Sequence, residues 1–206
     1  MDLTEPTLSV IPGVTGSVLA VLARSSEPLT GRAVAERAKP KASQKGVALV
    51  LAHLVEAGVV DRVDKGRSGL FSLNRDHLAA PAVVAIASMR ERCLAELRST
   101  IGAWDPKPVS AIVFGSFARG DGATSSDIDL LLVAPANPVN RWREQVVDLT
   151  VSVGRWTGNP LNVIEISEHD VAAYAEEAFV RSAVDEGITV GAVTLRQVLR
   201  RLSAPR

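Results

Sequence analysis

Two aspartates one residue apart, Asp127 and Asp129, open the apolar run SDIDLLLV, and this constrains the fold more than any other feature. Side chains alternate faces along a strand, so both carboxylates project to the same side. An ionised carboxylate withdrawn from water is costly without a partner, and two neighbours repel each other. A cation between them resolves the conflict, and hard oxygen ligands in a pair suit Mg²⁺ or Mn²⁺. Just upstream, VSAIVFGS reads as another strand ending at Gly115 and Ser116, and FARG begins a short helix or turn. Glycine lets backbone approach a ligand closely, while N–H groups and a serine hydroxyl can hold phosphate oxygens. A phosphate cradle beside a metal-binding acid pair is equipment for phosphoryl or nucleotidyl transfer.

The remainder of the chain bounds this reading. At 206 residues, one large domain or two small ones are both open. The formal net charge is zero, so any nucleic-acid surface must be local. The single cysteine, Cys93, rules out an internal disulfide framework and suggests a reducing compartment. Its setting, MRERCLAEL, gives it a packing role on a helix. No apolar run is long enough to span a bilayer and no signal-peptide pattern opens the chain, so a soluble cytoplasmic protein is expected.

Before the acid pair, helical and strand patterns follow in a definite order. Apolar residues over 16–25 have helical spacing, and Thr30 is a good N-cap for a short helix to about Ala38. VALVLAHLVEAG continues as a longer helix closed by Gly58, and VVDRVDKGRSGLFSL reads as two strands around a turn. Helices followed by a hairpin in this order, with LVEAGVVDRV and GLFSL, resemble the winged helix-turn-helix of MarR- and ArsR-type regulators. The resemblance implies that the third helix enters the major groove of double-stranded DNA and that the wing tip meets phosphate. The corresponding residues are Ser43, Gln44 and Lys45 at the helix start, with Lys65 and Arg67 at the tip. From Thr30 to Arg67 there are eight Lys or Arg against four Asp or Glu, a local balance of +4. Docking of a protein partner is the competing use of such a module. His53 and His77 have no acid or cysteine at ligand spacing and read as packing or surface residues.

The expected organisation is α+β with two domains: a winged helix over 1–79, a linker helix over 80–104 and a second domain over 105–206. In that second domain Gly115-Ser116-Phe-Ala-Arg119-Gly120, six residues, and then Asp127-Ile-Asp129 resemble the signature of the DNA polymerase β-like nucleotidyltransferases, closest to the minimal, MNT-type members. The resemblance spans roughly 105–190. It implies a mixed sheet flanked by helices, with Gly115 and Ser116 at the triphosphate and Asp127 and Asp129 holding Mg²⁺. ATP is the expected nucleotide, and NMP would pass to a hydroxyl of a protein or small molecule. Ser126 would orient a carboxylate or support the loop, and Arg119 would contact phosphate or pair with Asp121.

Members of this family add a third carboxylate from a neighbouring strand, here PLNVIEIS. Its positions hold Asn162 and Glu165, which alternation puts on opposite faces. Alignment favours Asn162 in the site; the need for a base favours Glu165, giving a catalytic set of Asp127, Asp129 and Glu165. The two alternatives stay open. Asp148 reads as part of a helix, and Trp156 as packing near a turn. A capped helix is expected from Ser167, and TLRQVLRRLSAPR as a basic amphipathic helix. Two functions of different class follow: a Mg²⁺-dependent nucleotidyltransferase tied to a DNA-binding module, or a DNA-binding regulator or antitoxin whose transferase domain is degenerate. The resemblance also implies a HEPN-type toxin as protein partner, and winged helices commonly act as homodimers.

Overall fold

The computed structural model describes residues 1–65, 68–122, 126–136 and 140–203. They form two compact units, Glu5–Arg90 and Met1–Thr4 with Glu91–Arg206. The division at 90/91 falls inside a helix.

The first unit contains α1 (Pro6–Val10), α2 (Val14–Arg24), β1 (Leu29–Thr30), α3 (Gly31–Arg37), α4 (Gln44–Glu56), β2 (Val60–Lys65), β3 (Ser68–Leu73) and α5 (Ala80–Ala87). Its helices start where side chains can satisfy orphan N–H groups. The Thr30 hydroxyl accepts from the Ala33 N–H at 3.2 Å, and that of Ser43 accepts from the Gly46 N–H at 3.1 Å. Gly58 closes α4 at φ +74°, a conformation that favours glycine. The strands form an antiparallel sheet in the order β1-β3-β2, with Val60 opposite Leu73 and Lys65 opposite Ser68. Val18, Leu22, Val34, Val47, Leu51 and Val60 are buried at its centre. Pro6 opens α1, for which its fixed φ is suited. The helix expected over 80–100 is two helices, α5 and α6 (Met89–Gly102). They part at Ser88, whose hydroxyl turns back to the Val84 carbonyl at 2.8 Å.

The second unit carries β4 (Ser110–Phe114), α7 (Gly115–Arg119), β5 (Ile128–Ala134), α8 (Asn140–Thr157), β6 (Leu161–Ser167), α9 (Ala178–Asp185), β7 (Ile188–Thr189) and α10 (Leu195–Ser203). The mixed sheet runs β6-β5-β4-β7. β4 is antiparallel to β5 and β7, while β6 is parallel to β5, as the crossover through α8 requires. Alternation divides the buried residues between two faces. Ala111, Val113, Ile128, Leu130 and Leu132 pack with Leu97 and Ile101 of α6 and Trp142, Leu149 and Val153 of α8. Ile112, Phe114, Leu131, Val133 and Ile166 pack with Val180 and Ala183 of α9 and Leu195 and Val198 of α10. Each large apolar side chain so buried contributes about 1.5–3 kcal/mol. Cys93 is buried on the α6 side. Burial, with the nearby Glu96 charge, pushes its thiol up to about 11, so it stays protonated at neutral pH.

The expected helix after Ser167 is a run of turns over 168–176. Its bonds join residues three apart, Asp170 N–H to the Ser167 carbonyl at 3.0 Å and Ala173 N–H to the Asp170 carbonyl at 2.9 Å. The basic C-terminal segment is helical, and it docks Leu195 and Val198 in the core.

Candidate functional site

The site forms where β4 ends and β5 begins. Gly115, at φ +71°, turns the chain from β4 into α7, and Gly120, at φ +73°, ends that short helix. Asp129 stands opposite Phe114 on β4 and Asn162 on β6. Its two oxygens have different neighbours. Oδ1 accepts a hydrogen bond from the Asn162 carboxamide at 2.9 Å. Oδ2 lies so near Gly115 that a Cβ there would come within 2.5 Å of it.

Asp127 is exposed, just before β5, and no hydrogen bond joins its carboxylate to another described residue. It lines a crevice with Ser126, Gly122 and Phe117. Ser116 belongs to the same neighbourhood: a Cβ on Gly122 would lie 3.5 Å from the hydroxyl oxygens of both Ser116 and Ser126. The Ser116 carbonyl accepts from the Gly120 and Asp121 N–H groups at 3.0 and 3.1 Å, which closes α7.

Arg119 pairs with two acids, Asp121 at 3.0 Å and Glu186 at 2.7 Å. These bonds raise its pKa further. Glu186 also accepts from the Ser182 hydroxyl at 2.6 Å, and Ser182 first, then Arg119, holds its carboxyl below the ordinary range. The guanidinium ties α7 to the end of α9.

The strand register separates the two candidates for the third site position. Residues 161–167 pair one for one with 128–134, so no bulge re-aims a side chain. Asn162 shares a face with Asp129, whereas Glu165, opposite Leu132, projects from the other face. There its carboxylate accepts from the Trp142 indole N–H of α8. Glu165 therefore does not join the acid pair. Among the described residues no group of three His, Cys, Asp or Glu could hold a metal. The hard oxygen donors at the start of β5 are the two carboxylates Asp127 and Asp129, not a three-carboxylate set. Asp148 is exposed on α8, and Trp156, expected to pack near a turn, is instead exposed within the last turn of that helix.

Sequence reasoning did not single out Asn159. It is buried, at 3 % exposure, and its carboxamide donates to the Ser126 carbonyl at 2.9 Å. The one available signal was a carboxamide residue between Gly158 and Pro160, immediately ahead of a strand.

In the first unit, Ser43 is the cap of α4, and its hydroxyl is engaged by the Gly46 N–H. Gln44 and Lys45 are exposed, followed along the same helix by exposed Ala48, Leu49, Ala52 and His53. Lys65 is exposed at the end of β2, and Arg67 lies outside the described residues. Arg62 pairs with Asp64 at 2.8 Å and stands over the Phe71 ring at 5.9 Å.

Comparison with known proteins bears on the second unit. Residues 94–182, less than half of the chain, match the model of the nucleotidyltransferase domain family. No curated protein matches the chain. A crystal structure described as a candidate nucleotidyltransferase from Sulfolobus solfataricus is similar at 24 % identity and a TM-score of 0.29, covering 50 % of this chain and 82 % of that one. Among the described residues no helix is long and apolar enough to cross a membrane.

Proposed function

We propose that the second unit binds a nucleoside triphosphate, ATP foremost, together with Mg²⁺, and moves its NMP to a hydroxyl of a protein or small molecule without a carboxylate base. The observation that carries this reading is Asp129 seated against Gly115, the first residue of the turn expected to cradle phosphate. Gly115 and Ser116 hold triphosphate oxygens, and Asp127 and Asp129 supply the oxygen ligands for the cation. When bound, the cation neutralises charge on the phosphates and lowers the pKa of the acceptor hydroxyl. The acceptor oxygen bonds to the α-phosphorus as the bond to the bridging oxygen breaks, and pyrophosphate leaves. The acceptor's proton goes to solvent, because a carboxamide at Asn162 cannot take it. Asn162 instead orients Asp129 through its hydrogen bond. Arg119 remains paired with Asp121 and Glu186 and braces α7.

Calorimetric titration of each NTP, with and without Mg²⁺, into wild type and Asp129→Ala tests this. Wild type is expected to bind far more tightly with Mg²⁺ than without it. The variant loses a metal ligand, so its affinity falls by more than the roughly 10–100-fold that loss of a ligand's outer partner costs. Equal binding by both proteins would remove Asp129 from the site.

A second reading is favoured by Asn162 itself: a DNA-binding regulator whose transferase domain is catalytically degenerate. The basic balance of Thr30–Arg67 supports contact with phosphate. The joint Lys45→Glu and Lys65→Glu variant is then expected to weaken binding to an arbitrary DNA duplex and reduce the salt slope by about two. An unchanged slope would point to protein docking on this unit, which the neutral Ala48–Leu49–Ala52 stretch would also suit.

A further inference from the structure

Asp127 lies outside the regular strand, so something other than the β5 ladder must fix its carboxylate. The peptide groups on its two sides are held by consecutive residues of the turn before β6. On one side, the Ser126 carbonyl accepts from the Asn159 carboxamide at 2.9 Å. On the other, the Ile128 N–H donates to the Pro160 carbonyl at 2.9 Å. Asn159 is itself held at both ends. Its backbone N–H donates to the Thr157 hydroxyl at 3.0 Å, and that hydroxyl donates to the Val153 carbonyl at 2.7 Å, anchoring the turn to α8. Its side-chain oxygen accepts from the Met1 ammonium at 2.8 Å. One end of the group must donate while the other accepts, which a carboxamide does and a carboxylate or hydrocarbon cannot.

We infer that Asn159 is a positioning residue for the cation site: it holds the Ser126–Asp127 peptide and thereby aims the Asp127 carboxylate beside Asp129. The inference rests on the NTP and cation reading above. Asn159 touches neither nucleotide nor cation in this role and acts through Asp127. Its loss leaves a part-buried carbonyl without this partner and removes one of the two bonds that hold the chain on either side of Asp127.

A double-mutant cycle tests it, with the Mn²⁺ concentration needed for half-maximal ATP binding as the readout. The proteins are wild type, Asn159→Ala, Asp127→Asn and the double variant. Asn159→Ala is expected to raise that concentration by about tenfold, while residual ATP binding in metal-free buffer stays unchanged. In the Asp127→Asn background the same change is expected to do nothing further. Asn159→Leu keeps the branched four-atom side chain and removes the donor, so it carries the test if Asn159→Ala fails to fold. Equal loss of metal-free and metal-dependent binding would overturn the inference and leave Asn159 a structural residue. So would additive effects in the double variant. Wild-type protein that binds no ATP with Mn²⁺ would overturn the NTP reading and this role together, an outcome distinct from wild type and variant binding alike.

Discussion

Replacing Asn162 with aspartate is expected to raise pyrophosphate release from ATP by about a hundredfold, the scale of a positioned general base. Asn162 occupies the β6 position directly beside Asp129, and its carboxamide already touches that carboxylate. Aspartate has nearly the same shape, so the change needs no backbone movement. It exchanges a donor for an acceptor that can take the acceptor hydroxyl's proton. The same exchange sets two carboxylates against each other in the metal-free protein, where they repel. Without Mg²⁺, the variant should therefore unfold at a lower temperature than wild type. Added Mg²⁺ should recover that loss, because a ligand that binds only the folded state stabilises it. Pyrophosphate release and thermal unfolding, each with and without Mg²⁺, check both effects. Glu165→Gln should leave the release rate unchanged, since that side chain faces Trp142 on the opposite side of the sheet. An Asn162→Asp protein no faster than wild type would show that this position does not face the reacting atoms.

Local chemistry was legible from sequence because it depends on few neighbours. Thr30 and Ser43 cap helices through hydroxyl contacts three residues ahead, and Gly58 ends a helix because it accepts a positive φ. The turn at Gly115 and Ser116 and the strand after Asp127 follow from residues close to them in the chain. What could not be read depends on distant pairing. Whether Asn162 or Glu165 faces Asp129 is fixed by the register of a parallel strand, and a slip of one residue would exchange their faces. Asn159 meets Ser126 across 33 residues and Glu186 meets Arg119 across 67, with no periodic pattern to announce either contact. The segment after Ser167 misleads for a different reason. Its composition suits a helix, but it closes a series of turns ahead of α9. The joint at Ser88 turns on one hydroxyl choosing the preceding turn, which composition does not reveal.

Gly115→Ala is expected to abolish Mg²⁺-dependent ATP binding while leaving the protein folded. Two costs fall on this substitution, and they can be separated. The first is conformational: alanine at φ +71° occupies the left-handed region at a cost of about 1–2 kcal/mol. The second is steric and specific to the site, because the new methyl would stand 2.5 Å from Asp129 Oδ2. Relief requires the carboxylate to rotate or β5 to shift, and either movement breaks the bond from Asn162 and spoils the cation ligand. Gly120 provides the control. It has nearly the same backbone angle, φ +73°, yet a Cβ there meets nothing within 4 Å. Gly120→Ala should carry the conformational cost alone, with a similar loss of thermal stability and ATP binding close to wild type. Calorimetry and thermal unfolding on the two variants decide the matter. Binding lost only in Gly115→Ala ties the nucleotide site to the contact between Gly115 and Asp129. Binding lost equally in both would mean that α7 as a whole, and not the clash with Asp129, sets affinity. Binding kept in both would place the nucleotide elsewhere, since no cation ligand at Asp129 could survive the clash unmoved.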